Sequence, residues 1–147
     1  EVAIAEYAMA APLSRHVPLA DADNRMRKGD WKYWAGGPSG MRTELGNTVI
    51  GILGYGHIGK EIAKRAKAFG MNVHVANRSC PKDQSQIDAY HAIDDFRDML
   101  PNVDVVVNTL PLAESTTGLV DEKAFANMKP TAVFMNVGRG GVRCLRR

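Results

Sequence analysis

A doubly wound α/β fold, with helices on both faces of a parallel sheet, is the architecture this sequence predicts, and three observations carry it. From Thr48 onward, short apolar runs rich in β-branched residues alternate with amphipathic helical segments. The links between them are short, as right-handed crossovers between parallel strands require. A glycine-rich turn, Gly54-Tyr-Gly-His-Ile-Gly59, joins the first apolar run to the first helical segment.

The elements follow in order. Residues 2–28 are rich in Ala, Leu and Met and read as helix, broken by Pro12 and again by Pro18, so one kinked helix or two short ones satisfy the pattern. Residues 29–46 read as a loop pinned by Trp31 and Trp34 among Gly and Pro. Residues 48–53 form a strand apolar enough to be buried on both faces. Residues 57–69 form a helix with Ile58, Ile62, Ala66 and Phe69 on one face, and Gly70 ends it. Then come a strand at 71–76, a weak strand near Tyr90, a short helix at 94–100, a strand at 103–109, a helix at 121–128 and a strand at 131–136.

The chain has 147 residues, 45% of them hydrophobic and 24% charged, which suits one globular domain with its own core. Its net charge of +3 owes much to Arg143, Arg146 and Arg147, a local excess that does not imply nucleic acid. Lys60, Glu61, Lys64, Arg65 and Lys67 mix signs at helical spacing and read as a solvated helix face. Cys80 and Cys144 lack metal-ligand or redox spacing, so free thiols in a reducing compartment and no metal site are expected. No apolar run approaches the roughly 18 to 20 residues of a membrane span, so the expectation is a soluble, cytoplasmic protein with no membrane partner. Residue 1 is Glu and opens straight into helical pattern, which reads as a chain that starts inside a larger protein.

The glycine turn has the context its chemistry needs, after a strand and opening a helix. Gly54 permits the tight turn, Gly56 presents no Cβ to a diphosphate, and Gly59 lets helix and strand pack closely. The amides of His57, Ile58 and Gly59 begin a helix whose positive dipole end attracts phosphate, so a Rossmann-type dinucleotide site is expected here. His57 contributes backbone to this site, and its imidazole is given no catalytic role. His16, His74 and His91 have no carboxylate at a suitable spacing and receive none either. At the end of the second strand, where an Asp or Glu would bind the ribose hydroxyls, the chain has Asn77, Arg78 and Ser79. Without a repelling carboxylate, Arg78 and Ser79 can hold a 2′-phosphate, which favours NADP over NAD.

The sequence resembles the D-isomer-specific 2-hydroxyacid dehydrogenases, the group of the glyoxylate and hydroxypyruvate reductases and phosphoglycerate dehydrogenase. The resemblance rests on ordered matches: Ala5-Glu-Tyr-Ala8, Gly29-Asp-Trp31, Glu44-Leu-Gly-Asn-Thr48, the run from Gly51 to Gly59, Phe69-Gly-Met71, Leu110-Pro-Leu112 with Thr116, Met128-Lys-Pro130 and Asn136-Val-Gly-Arg-Gly140. It implies hydride transfer between a nicotinamide and C2 of a 2-oxo or 2-hydroxy acid. It also implies that Leu110, Pro111, Thr116, Val137 and Gly138 serve the cofactor and that Arg139 is the catalytic arginine. Arg139 follows the strand at 131–136, at the carboxyl edge of a parallel sheet where ligands bind. Its planar guanidinium suits a substrate carboxylate.

In such enzymes an acid and a histidine complete the machinery, and both are expected beyond this chain. Residues 1–45 read as a leading helix and loop, 46–142 as the core, and 143–147 as a divergent tail, suggesting a truncated or frame-shifted end. The substrate-binding domain is absent, so the isolated chain is expected to be catalytically incomplete, the intact protein to be a homodimer, and Pro12 to weaken the dimer-forming helix. Two alternatives remain: a dinucleotide-sensing module like the C-terminal-binding-protein corepressors, and, less favoured, adenosylhomocysteinase, which lacks the arginine segment.

Overall fold

A computed structural model describes residues 1–30 and 44–142. Trp31, Trp34 and the tail residues Arg143, Cys144, Arg146 and Arg147 lie outside the described residues. Among the described residues, no helix is long and apolar enough to cross a membrane.

Strands β1 (Val49–Leu53), β2 (Asn72–Asn77), β3 (Ala89–Ala92), β4 (Val105–Asn108) and β5 (Val133–Asn136) pair in parallel in the order β3-β2-β1-β4-β5. The order reverses at β1, so the crevice beyond the carboxyl ends of β1 and β4 is the topological switch point where ligands of open α/β sheets bind.

Alternate residues of the central strands feed two cores, as the two-residue period of a strand dictates. Ile50, Ile52, Val73, Val75, Val105 and Val107 face one side, where they meet α1 (Val2–His16) through Ala5, Ala8 and Met9 and α3 (His57–Ala68) through Ile62, Ala63 and Ala66. Leu53, Ala76 and Val106 face the other side and pack on Phe96 and Met99 of α4 (Phe96–Met99), on Val103 and on Ala124 of α5 (Glu122–Asn127). Asp121 caps α5, its carboxylate accepting the Ala124 amide at 2.9 Å. The site therefore rests on strands packed on both faces.

Three expectations need correction. Pro12 does not break the first helix: α1 runs through it, and the break falls at Val17 and Pro18, before α2 (Leu19–Arg27). Proline removes one donor, but Ala5, Ala8, Met9 and Pro12 form a single buried stripe at helical spacing, and that packing carries the helix past the gap. Phe69 is not on the buried face of α3; it is the residue after the helix and is 44% exposed, while Gly59 and Ala63 share the buried face with Ile62 and Ala66. The segment at 94–100 is not one helix but a single α-turn, α4, between 3-10 turns at Ile93–Asp95 and Leu100–Asn102.

Candidate cofactor site

At the end of β1 the chain turns sharply at Gly54, whose φ of +92° lies in the left-handed region that favours glycine. Its amide donates to the Ala76 carbonyl at 2.8 Å, tying the turn to the end of β2. A side chain at Gly59 would fall on the Gly54 carbonyl oxygen, so the helix can approach this closely only with glycine there. Gly56 differs from both: a Cβ there would meet nothing within 4 Å, because it would project into open space over the turn. No side chain caps α3, so the first-turn amides of His57, Ile58 and Gly59 face that space with the positive end of a 12-residue helix behind them. A diphosphate fits this cradle.

The space continues as a hollow of about 730 Å³ bounded by Gly54, Tyr55, Gly56, Asn77, Arg78, Ile93, Asp94, Thr109, Leu110, Pro111, Ala113, Ser115, Thr116 and Leu119. Asn77 is committed to the protein: its amide oxygen accepts from the Tyr55 amide at 3.4 Å and its amide nitrogen donates to the Ser79 carbonyl at 3.0 Å. Arg78 is exposed, lines the hollow and has no side-chain partner among the described residues. Among the described residues, the one carboxylate in this lining is Asp94. Tyr55 is nearly buried, and burial, followed by the charge of Asp83, raises its phenol.

The opposite wall is held by side-chain amides. Asn108 and Asn136 end β4 and β5 in register, and Asn108 donates to the Asn136 side-chain oxygen at 3.0 Å. Asn108 also accepts the Leu110 amide at 3.2 Å. Asn136 accepts the Gly138 amide at 3.0 Å and donates to the Arg139 carbonyl at 3.1 Å. Asn108 is fully buried, so its partners set the path of both turns. The Thr109 hydroxyl reaches across to the Leu53 carbonyl at 3.0 Å and the Gly54 carbonyl at 2.9 Å. Thr116 is buried, donating to the Pro111 carbonyl at 2.6 Å and accepting the Ala113 amide at 2.8 Å.

Of the residues singled out from sequence, Gly54, Gly56, Asn77, Arg78, Leu110, Pro111 and Thr116 gather around the hollow. His57, Ile58 and Gly59 form the first turn of α3 next to it. Ser79 lines a neighbouring hollow instead. Val137 and Gly138 follow β5, their amides bonded to the Asn108 carbonyl at 3.0 and 3.1 Å, and Arg139 is exposed and outside the lining. Sequence reasoning missed Tyr55, Asn108 and Thr109 and gave Asn136 no role of its own; a polar residue closing an otherwise apolar strand was the available signal. It also missed the pairing of His74 with His91, whose rings stack 5.7 Å apart across β2 and β3.

A five-stranded parallel sheet in this order, with a glycine turn and an open helix N-terminus at its switch point, defines a dinucleotide-binding domain. The chain belongs to the D-isomer specific 2-hydroxyacid dehydrogenase family, whose NAD binding domain matches residues 7–143. It is 34% identical over 141 residues to glyoxylate/hydroxypyruvate reductase B of Klebsiella pneumoniae subsp. pneumoniae, covering 95% of this chain and 43% of that protein. It is 30% identical over 145 residues to D-3-phosphoglycerate dehydrogenase of Methanocaldococcus jannaschii, covering 96% of this chain and 26% of the relative. A glycerate dehydrogenase related protein from Thermoplasma acidophilum superposes with a TM-score of 0.82 at 31% identity, over 97% of this chain and 47% of that one. The chain thus spans less than half the length of these relatives. They support the dehydrogenase reading and lend nothing to the corepressor alternative.

Proposed function

We propose that this chain is the cofactor-binding part of a reductase that interconverts a small 2-oxo acid and its 2-hydroxy acid, with NADP(H) preferred over NAD(H). The carrying observation is the continuous hollow that runs from the open helix N-terminus, past Asn77, to Arg78, at the point where strand order reverses. When bound, the nicotinamide supplies or accepts the hydride at C2. The residues of the chain do the rest: the amides of His57, Ile58 and Gly59 hold the diphosphate, while Leu110, Pro111, Thr116, Val137 and Gly138 shape the far end. Asn77 brings no carboxylate to the ribose edge, leaving Arg78 and Ser79 to attract a 2′-phosphate. Arg139 grips the substrate carboxylate and polarises the neighbouring carbonyl.

Among the described residues, no histidine lines the hollow. The described lining thus lacks the side chain whose ordinary titration lies closest to neutral pH, the commonest proton donor in such a step. We expect the isolated chain to bind dinucleotide yet reduce little or no glyoxylate or hydroxypyruvate. In the intact protein we place α1 at a homodimer contact, since it leaves Val2, Ile4 and Tyr7 exposed, Tyr7 at 71%. On the same reading we divide the chain into a leading segment (1–45), a core (46–142) and a divergent tail (143–147), with α1 of the leading segment packed on the core through Ala5, Ala8 and Met9.

Titration with NADPH and NADH, comparing the wild type with Arg78→Ala, tests the proposal. Removing one charge-assisted contact should weaken NADPH about tenfold and leave NADH nearly unchanged. Equal affinities that ignore the substitution overturn the NADP preference, and NADPH-dependent turnover of glyoxylate by the chain overturns its incompleteness.

A further inference from the structure

A second hollow, of about 720 Å³, lies behind the end of β2, between α3 and the segment after Asn77, and Tyr55 and Asn77 line both hollows. Lys60 and Lys64, one turn apart on α3, line it from one side, and Lys82 lines it from the other. Two lysines elsewhere hold carboxylates, Lys67 bonding Asp88 at 2.9 Å and Lys129 bonding Asp104 at 2.8 Å. Lys60, Lys64 and Lys82 hold none among the described residues. Of the two carboxylates in this lining, Glu61 is taken by Arg65. The other, Asp83, accepts the Ser85 amide at 2.9 Å; that bond first, then the Ser85 hydroxyl and the charge of Lys60, hold its carboxyl below the usual range. Three ammonium groups thus face one carboxylate, a surplus that favours an anionic ligand.

The position of the surplus identifies the anion. The ribose 2′-hydroxyl of a bound dinucleotide is read at the carboxyl end of the second strand, which here is Asn77. Asn77 forms part of the shared wall, so a group attached at that hydroxyl has the lysine-lined space directly behind it. We propose that this second hollow receives the 2′-phosphate of NADP(H), with Lys60 and Lys64 acting beside Arg78 and Ser79 as specificity-determining residues. The inference rests on the neighbouring hollow being the dinucleotide site. It also reassigns a stretch whose alternating charges read, in sequence, as a solvated helix face.

The test is a titration of the 147-residue chain with NADPH and NADH, using wild type, the double variant Lys60→Gln/Lys64→Gln and the charge-retaining Lys60→Arg/Lys64→Arg. The glutamine pair should weaken NADPH about tenfold and leave NADH within about twofold, and the arginine pair should restore the difference. Added salt should weaken NADPH more in wild type than in the glutamine pair. Competition by 2′,5′-ADP should fall in parallel, and competition by 5′-AMP should not. If the glutamine pair changes neither cofactor, or both equally, the inference is overturned. If Arg78→Ala weakens NADPH while the glutamine pair does not, the lysine hollow falls and the dinucleotide site stands. Failure of wild type to bind either cofactor overturns the two together.

Discussion

The two walls of the candidate cofactor hollow are held in place by different physics. On the β1 side, shape comes from the space glycine leaves: Gly54 adopts a backbone angle side chains avoid, and Gly59 lets α3 close onto the Gly54 carbonyl. On the β4–β5 side it comes from satisfied polar groups, with Asn108 and Asn136 bonded to each other and to the turns that follow them. A wall defined by space fails when anything is added, whereas one defined by hydrogen bonds fails when a partner is removed.

The largest effect that would separate the two is expected from Gly59→Val. The added side chain meets backbone that cannot swing aside, so unfolding in urea should show a loss of about 3 kcal/mol, together with loss of dinucleotide binding. A loss below about 1 kcal/mol would mean that the turn yields, and the contrast would dissolve. Asn108→Ala should cost somewhat less, about 2 kcal/mol, because the Leu110 amide is left buried without its acceptor and Asn136 loses a donor. Diphosphate binding should survive this change better than the glycine substitution, since the β1 turn is untouched. Equal damage to binding by both variants would argue that the walls are one unit.

Acid provides the smallest and most selective probe. None of Gly54, Gly59, Asn108, Thr109 or Asn136 titrates. His74, away from both walls, has its imidazole lowered from the ordinary 6.5 by burial and then by the charge of His91, with Asp88 opposing. The unfolded chain therefore takes up a proton near pH 6.5 that the folded chain refuses until lower pH, so stability falls as pH drops through that window. Asp88, held low by the Val73 amide and then Lys67, keeps its contribution until the pH falls below the ordinary 3.8 towards its depressed folded value. Hydrogen exchange at pH 5 and pH 7, corrected for intrinsic rates, should show extra opening along β2 and β3 and little at either wall. His74→Asn should abolish the difference, and acid opening at the Asn108 turn would contradict it.

The same contrast explains what the sequence disclosed. The glycine wall was legible because its constraints lie within six consecutive residues and announce themselves by spacing. β1 and β4 were legible because burial on both faces leaves continuous apolar runs. The Asn108–Asn136 pair was not, since its members are 28 residues apart and meet only once β4 and β5 pair in register. Pro12 and Phe69 misled for a related reason, because tertiary packing and the position of the helix end decide their places and local pattern does not. Lys60 and Lys64 looked like ordinary surface charge until the segment after β2 was seen to form an opposing wall.

Thr109 belongs to one wall by sequence and to the other by contact. Its hydroxyl has a single proton to share between the Leu53 and Gly54 oxygens, 3.0 and 2.9 Å away. Strain placed on the turn therefore has a short mechanical route into β4, like load passing through a rivet. One side chain thus fastens the turn after β1 to the end of β4.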